Sequence, residues 1–288
     1  VSSLEYRARP ELSDPVVICA FGGWNDGGEG ATATVRTLRE QWGARRFASI
    51  DPEDFYDFQV NRPMVRLVDG ETRHIDWPAN DFSWARVGER DVVLFLGVEP
   101  NVRWRTYCEQ ILRACGDMKA SLVVTLGAFL ADVPHTMAAP VSAASSDPSW
   151  AARTDIVPAR YEGPTGIVGV LNDLASKAGV PAVSLWAASP HYLPQTANPK
   201  VSLALMERLR DLLELEIDTG GATASAMAWE REVTQAIDED GNLGDYVKRL
   251  EEAAEEGLGG GAGEVASGEE LAAELERFLR EHGSSDGE

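Results

Sequence analysis

Residues 16–32 read VVICAFGGWNDGGEGAT, and the expected fold follows from them. Val16 to Phe21 form an unbroken apolar run, the pattern of a parallel strand covered on both faces. Gly22 and Gly23 end the run, and Trp24, Asn25 and Asp26 hold the crest of a turn. Gly27, Gly28 and Gly30 allow a sharp bend or a close backbone approach, and Ala31 to Trp42 is predicted to be helical. Open α/β sheets built from such units place ligands beyond the C-terminal ends of their strands. Gly23, Trp24, Asn25 and Asp26 are therefore site candidates. The alternative is a plain turn in which Asn25 and Asp26 cap the helix.

The pattern recurs three times downstream. Asp91–Gly97 (DVVLFLG) is a second buried strand with Glu99 just after it, and Arg103–Cys115 carries apolar residues at the three-and-four spacing of a helix face. Leu122–Gly127 is a third, followed by Asp132, His135 and Thr136. Ala182–Ala187 is a fourth, leading into His191 and Tyr192. Between the last two, residues 160–181 (RYEGPTGIVGVLNDLASKAGVP) turn at Gly163-Pro164, and Thr165 is predicted to cap a helix running to Ala178. Gly163, Gly166 and Gly169 bare one side of that helix start. Such an N-terminus, with Glu162, Gly163, Thr165 and Gly166 around it, either receives an anion or packs closely on the sheet.

Carboxylates and imidazoles that converge in a crevice can move protons, because crowding raises a carboxyl pKa toward neutrality and histidine already titrates there. Asp26, Glu99, His135 and His191 are the candidates for acid or base. Taken singly, each histidine also fits a structural role in a hydrogen-bonded turn. Few Lys or Arg sit in these clusters, which argues against a polyanionic substrate. The phosphate loop, the GxSxG elbow, HExxH and paired CxxC are absent from the sequence.

Composition narrows the class. The 288 residues are 44% hydrophobic and 25% charged, as in an ordinary globular protein. The longest apolar runs are far below the roughly 20 residues of a membrane span. The opening VSSLEYRARPEL lacks the basic-then-apolar order of a secretory signal, so the cytoplasm is the expected location. Cys19, Cys108 and Cys115 sit in apolar settings and read as reduced core thiols. A net charge of −21 repels a phosphate backbone, so nucleic acid is not an expected partner.

The remainder divides by composition. Residues 51–63 (DPEDFYDFQVNRP) read as a loop pinned by Phe55, Tyr56 and Phe58, and their acids lack the pattern of a calcium loop. No metal or cofactor is expected. Val65–Val68 and Arg73–Trp77, around Asp69-Gly70, read as a hairpin on the sheet edge or as an excursion from it. Lys200–Ile217, Thr223–Ile237 and Asp245–Glu256 read as helices. Residues 251–288 hold twelve acids and two bases, a net −10, with a flexible GLGGGAG linker and an amphipathic segment at 269–282. The expected organisation is an α/β domain over 1–199, C-terminal helices over 200–256 packed on it, and an acidic linker with a terminal helix over 257–288.

Six ordered motifs, FGGWNDGGEGAT, IDPEDFYDFQVNRP, GVEPNVRW, TLGAFLADVPHT, YEGPTGIVGVL and LWAASPHY, resemble the actinobacterial branch of the proteasome assembly chaperone family. The resemblance spans Pro15 to about Leu250. It implies a three-layer αβα fold with a largely parallel sheet, of the nucleoside phosphorylase and peptidyl hydrolase type, with a C-terminal helical extension. It also implies a homo-oligomer, with proteasome subunits as partners. Some relatives dock through a C-terminal hydrophobic-Tyr-any tripeptide, which the ending Ser284-Ser285-Asp286-Gly287-Glu288 does not match. Two functional readings follow: a chaperone-like protein that binds partner subunits, or a small-molecule-binding protein or enzyme using the strand-end crevice. The enzyme reading is nucleoside phosphorylase- or hydrolase-like. An ATP-grasp carboligase, a label also attached to this branch, lacks evident triphosphate-binding bases.

Overall fold

The computed structural model describes residues 3–256 except 71, 153–155, 159–161, 195 and 239–240. The linker and terminal helix expected beyond residue 256 lie outside the described residues. The chain runs through β1 (Leu4–Tyr6), β2 (Val16–Gly22), α1 (Gly30–Gln41), β3 (Arg45–Ile50), β4 (Met64–Val68), β5 (Thr72–Asp76), β6 (Asp81–Val87) and β7 (Arg90–Val98). It continues through α2 (Trp104–Asp117), β8 (Leu122–Ala131), β9 (Val141–Ser145), α3 (Pro148–Ala151), β10 (Val157–Pro158), α4 (Ile167–Lys177) and β11 (Ala182–Pro190). Three helices close it: α5 (Pro199–Leu213), α6 (Gly220–Asp238) and α7 (Gly241–Glu255). No helix among the described residues is long and apolar enough to cross a membrane.

A nine-stranded sheet has the order β1-β3-β6-β7-β2-β8-β11-β9-β10. The four central strands β7, β2, β8 and β11 are parallel, so the loops that follow them leave at one edge. Towards the flanks β1, β3, β6 and β7 pair antiparallel, as do β11 and β9. The expectation of a parallel sheet thus describes its centre. Alternation along β2 explains why its apolar run is unbroken. Val16, Ile18 and Ala20 face the layer holding α1 and α5, while Val17, Cys19 and Phe21 face the layer of α2 and α4. The result is a three-layer αβα architecture. Each fully buried large side chain in these layers contributes about 1.5–3 kcal/mol.

Cys19, Cys108 and Cys115 are free thiols in the α2–α4 layer, and burial pushes Cys108 and Cys115 up to about 12. Phe55 and Tyr56 are buried, which pins the 51–63 loop. Three of its four acids are engaged in turns and pairs: Asp51 and Asp57 accept from the backbone two residues on, and Asp54 pairs with Arg103. The hairpin exists as a separate two-stranded sheet of β4 and β5. The apolar pattern does not announce β6. Its buried Asp81 and Ser83 interrupt the run, and the Asp81 charge is matched by Arg46 at 2.6 Å.

Two helical expectations need correction. Among the described residues Thr165 makes no capping bond: α4 begins at Ile167 with Gly166 at its cap, and Thr165 instead lies over Gly169, where an added Cβ would meet its hydroxyl. The helix predicted to reach Ile217 stops at Leu213, because Glu214 takes a left-handed conformation (φ 53°). Leu215 and Ile217 are nonetheless buried in the core. Val201, Leu205, Met206 and Leu209 of α5 join the main core, whereas Trp229, Val233, Ile237 and Val247 of α6 and α7 form a separate cluster against Tyr192, Leu193 and Leu243.

Candidate functional site

The loops after β2 and β7 meet over the start of α4. Gly23 has φ 127°, and a Cβ there would lie 3.1 Å from Glu99 Cβ, so a glycine lets the two loops close on each other. Asn25 is 1% exposed, and its Nδ2 donates to Glu99 Oε1 at 2.7 Å. The Ile167 N–H, in the first turn of α4, donates to the same oxygen at 2.9 Å. A carboxylate at a helix N-terminus meets unpaired N–H groups and the positive end of the dipole. The anion foreseen at this helix start is thus the chain's own Glu99. Gly166 is buried against the Asn25 side chain, whose Oδ1 has no hydrogen-bond partner among the described residues. Trp24, 66% exposed, stands at the crest, while Glu162, Gly163 and Thr165 are exposed on the approach to α4.

Asp26 is turned the other way. Its Oδ1 accepts from the Ala31 N–H at 2.7 Å and the Thr32 N–H at 3.2 Å, and its Oδ2 from the Thr32 hydroxyl. Both oxygens therefore close the N-terminus of α1. The Asp26 backbone bridges to Ala128 at β8. Burial pushes the Asp26 carboxyl up, while the bonds from Thr32 and Ala31 pull it down.

The polar residues after β8 and β11 form a second cluster, closed by the C-terminal helices. His135 is 2% exposed. Its Nδ1 lies 2.9 Å from the Tyr192 hydroxyl and its Nε2 lies 3.1 Å from Thr234 Oγ1 on α6. The Tyr192 oxygen already accepts the His135 backbone N–H at 2.8 Å, so it is free to donate to Nδ1, leaving the Nε2 proton for Thr234. A neutral imidazole satisfies this arrangement. Lys200 donates to the His135 carbonyl at 2.6 Å and to Glu230. The Thr136 hydroxyl donates to Glu251 on α7. His191 Nδ1 lies 3.0 Å from Asp132 Oδ1, which also accepts from the Tyr246 hydroxyl at 2.9 Å.

Burial, and then the Lys200 charge, hold His135 below its usual range, although Glu230, Glu251 and Asp238 pull the other way. The unfolded chain therefore takes up the proton first as pH falls below about 6.5. The contribution of neutral His135 is fully present above that pH and is lost as pH drops toward its folded value. Thermal melts from pH 7.5 to 5.5 are expected to show the stability gap between the wild type and His135→Gln shrinking with acidification. A constant gap would show that His135 titrates alike in both states.

The structure thus sorts the candidate residues into two hydrogen-bonded groups on the same edge of the sheet. Asn25, Glu99 and Gly166 meet over α4; Asp132, His135, Thr136, His191 and Tyr192 meet α6 and α7. Asp26 joins neither group. Thr234, Lys200, Glu230, Glu251 and Tyr246 were not foreseen. Their sequence signal is only that of amphipathic helices, and their partners lie up to 115 residues away. A groove of about 560 Å³ runs along α6, lined by Glu230, Arg231, Thr234, Gln235 and Asp238, with none of the strand-end residues in its wall. Among the described residues no three His, Cys, Asp or Glu side chains are grouped to hold a metal ion.

The chain is similar to several solved proteins. A PAC2 family protein of Streptomyces avermitilis is 48% identical, with 81% of this chain and 100% of that one covered and a TM-score of 0.76. A Mycobacterium tuberculosis proteasome-assembly chaperone homologue is 47% identical, with 81% and 99% covered and a TM-score of 0.74. An archaeal homolog of proteasome-assembly chaperone from Pyrococcus furiosus, 15% identical with 87% and 99% covered, shares the fold at a TM-score of 0.59. No curated protein matches. The sequence pattern of the PAC2 family matches residues 20–237, and the chain belongs to that family.

Proposed function

We propose that this protein is a cytoplasmic, homo-oligomeric assembly factor that binds partner subunits, with proteasome subunits as the first class to test. The observation that carries the reading is the 47% identity, over 81% of this chain and 99% of the other, to a protein described as a proteasome-assembly chaperone homologue. The commitment of Asp26 to the start of α1 supports it, because that carboxylate is occupied by three donors within the fold. The test is capture of purified host proteasome α subunits by the full chain and by Asp26→Ala. Both are expected to capture, while the variant loses about 1–2 kcal/mol of stability with its cap. Failure of the wild type to capture any proteasome subunit removes the assembly reading.

A second reading keeps the crevice as a small-molecule site. It is favoured by the buried Asn25 Oδ1, which has no hydrogen-bond partner among the described residues, beside the exposed Trp24. Native mass spectrometry would then show a small adduct on the wild type that Trp24→Ala loses. An adduct-free wild type prepared from its own host counts against this reading.

A further inference from the structure

Glu99 closes the start of α4 with one oxygen only. Its Oε1 accepts from both Asn25 Nδ2 and the Ile167 N–H, while its Oε2 has no hydrogen-bond donor among the described residues. The same corner holds a second unmatched acceptor. The Asn25 side chain is 1% exposed and points into the corner: Nδ2 reaches Glu99, and Oδ1 stands where a Cβ on Gly166 would collide with it. That Oδ1 has no hydrogen-bond partner among the described residues, a state in which few buried polar atoms are left. Trp24 lies in sequence between two residues that touch Glu99. A Cβ on Gly23 would stand 3.1 Å from Glu99 Cβ, and Asn25 donates to the Glu99 carboxylate. The indole thus rises from a backbone fixed beside the carboxylate, yet it is 66% exposed and adds little to the core.

Charge selects the ligand. The helix start already holds its own anion in Glu99, and the net −21 of the chain repels a second one. The residues that meet here, Gly23, Trp24, Asn25, Glu99, Gly166 and Ile167, include one carboxylate and no cation. They offer a carboxylate oxygen, an amide oxygen and an aromatic face, all of them negative. A guanidinium matches this set better than an ammonium does. Its planar fork of N–H groups donates to a carboxylate, its face stacks on an indole, and it is the more weakly hydrated of the two cations. We infer that the corner between Trp24 and Glu99 binds a small molecule through a guanidinium group, with Glu99 Oε2 as its acceptor and the Trp24 ring as its stacking face. The unmatched Asn25 Oδ1 adds negative potential from inside the fold. The inference rests on the small-molecule reading of this crevice and gives that reading its ligand class.

The test uses the full chain and three probes that differ in charge alone at the head group: the N-acetyl amides of arginine, citrulline and glutamate. Binding is read on the probe by saturation-transfer NMR. The arginine probe is expected to bind in the millimolar range of a fragment, and its neutral citrulline isostere about tenfold more weakly. Trp24→Leu should weaken the arginine probe about fivefold through the lost stacking face. Glu99→Gln keeps an acceptor for Asn25 and Ile167 but loses the charge, and should weaken it about tenfold. Trp24 is exposed, so its variant should keep the wild-type circular dichroism spectrum. Equal binding of the arginine and citrulline probes, or tighter binding of the glutamate probe, overturns the guanidinium assignment and leaves the crevice reading standing. Arginine binding unchanged in Trp24→Leu overturns the location. No binding of the arginine probe to the wild type up to about 20 mM overturns the inference. The crevice reading falls with it only if the protein from its own host also carries no adduct.

Discussion

Gly30→Ala is expected to destabilise the protein by about 3 kcal/mol, although alanine is the better helix former by about 1 kcal/mol. Gly30 already has helical angles (φ −70°, ψ −39°), so the backbone itself raises no objection. The obstacle is α5. A Cβ at Gly30 would lie 2.1 Å from Val201 Cγ1 and 2.6 Å from Val201 Cβ. Val201 is fully buried and branches at Cβ, so no rotamer change moves both atoms away. The helices must separate, which strains the buried contact between the Thr34 and Ser202 hydroxyls at 3.1 Å. Urea unfolding followed by circular dichroism measures the loss. The Gly30→Ala/Val201→Ala pair should recover only part of it, because the Cβ atom of residue 201 remains. A single variant within about 0.5 kcal/mol of the wild type would show that α1 and α5 are free to repack.

Glu99→Ala is expected to cost a similar amount, about 3 kcal/mol, because hydrogen bonds to a charged group are worth about 1.5–3 kcal/mol and two are lost together. The side-chain amide of Asn25 would then be buried with neither Nδ2 nor Oδ1 satisfied by the bonds described, and the first turn of α4 would lose its acceptor. Glu99→Gln keeps an acceptor but not the charge, and should lose about half as much. The same pair of variants reads the site locally. Hydrogen exchange at the Ile167 amide should accelerate strongly in the alanine variant and modestly in the glutamine variant. Equal stability of Glu99→Ala and the wild type would mean that water replaces the carboxylate at no cost. The Asn25–Glu99 contact would then be a consequence of loop closure and not its cause.

These two positions illustrate what was legible in advance. Gly30 belongs to a glycine-rich turn that announces close approach of some other group, but nothing local says that the group is Val201, 171 positions later in the chain. Glu99 is marked by standing after a buried strand, yet its partners are Asn25 and Ile167, 74 and 68 residues away. The strand β6 was not legible at all, because its pattern is broken by the buried Asp81 and Ser83, and the Arg46 that pairs with Asp81 stands 35 residues away.

The sequence by itself determined the strand–turn–helix units, the parallel centre of the sheet and the set of polar residues after its strands. Each of these is written in short-range periodicity and turn chemistry, which the backbone reads locally. Tertiary structure decided what those residues do. It turned Asp26 into the cap of α1, filled the start of α4 with Glu99, and enclosed His135 between Tyr192 and Thr234. The physical reason is that a buried polar group takes whichever partner the packing of distant elements delivers, and no spacing along the chain encodes that choice.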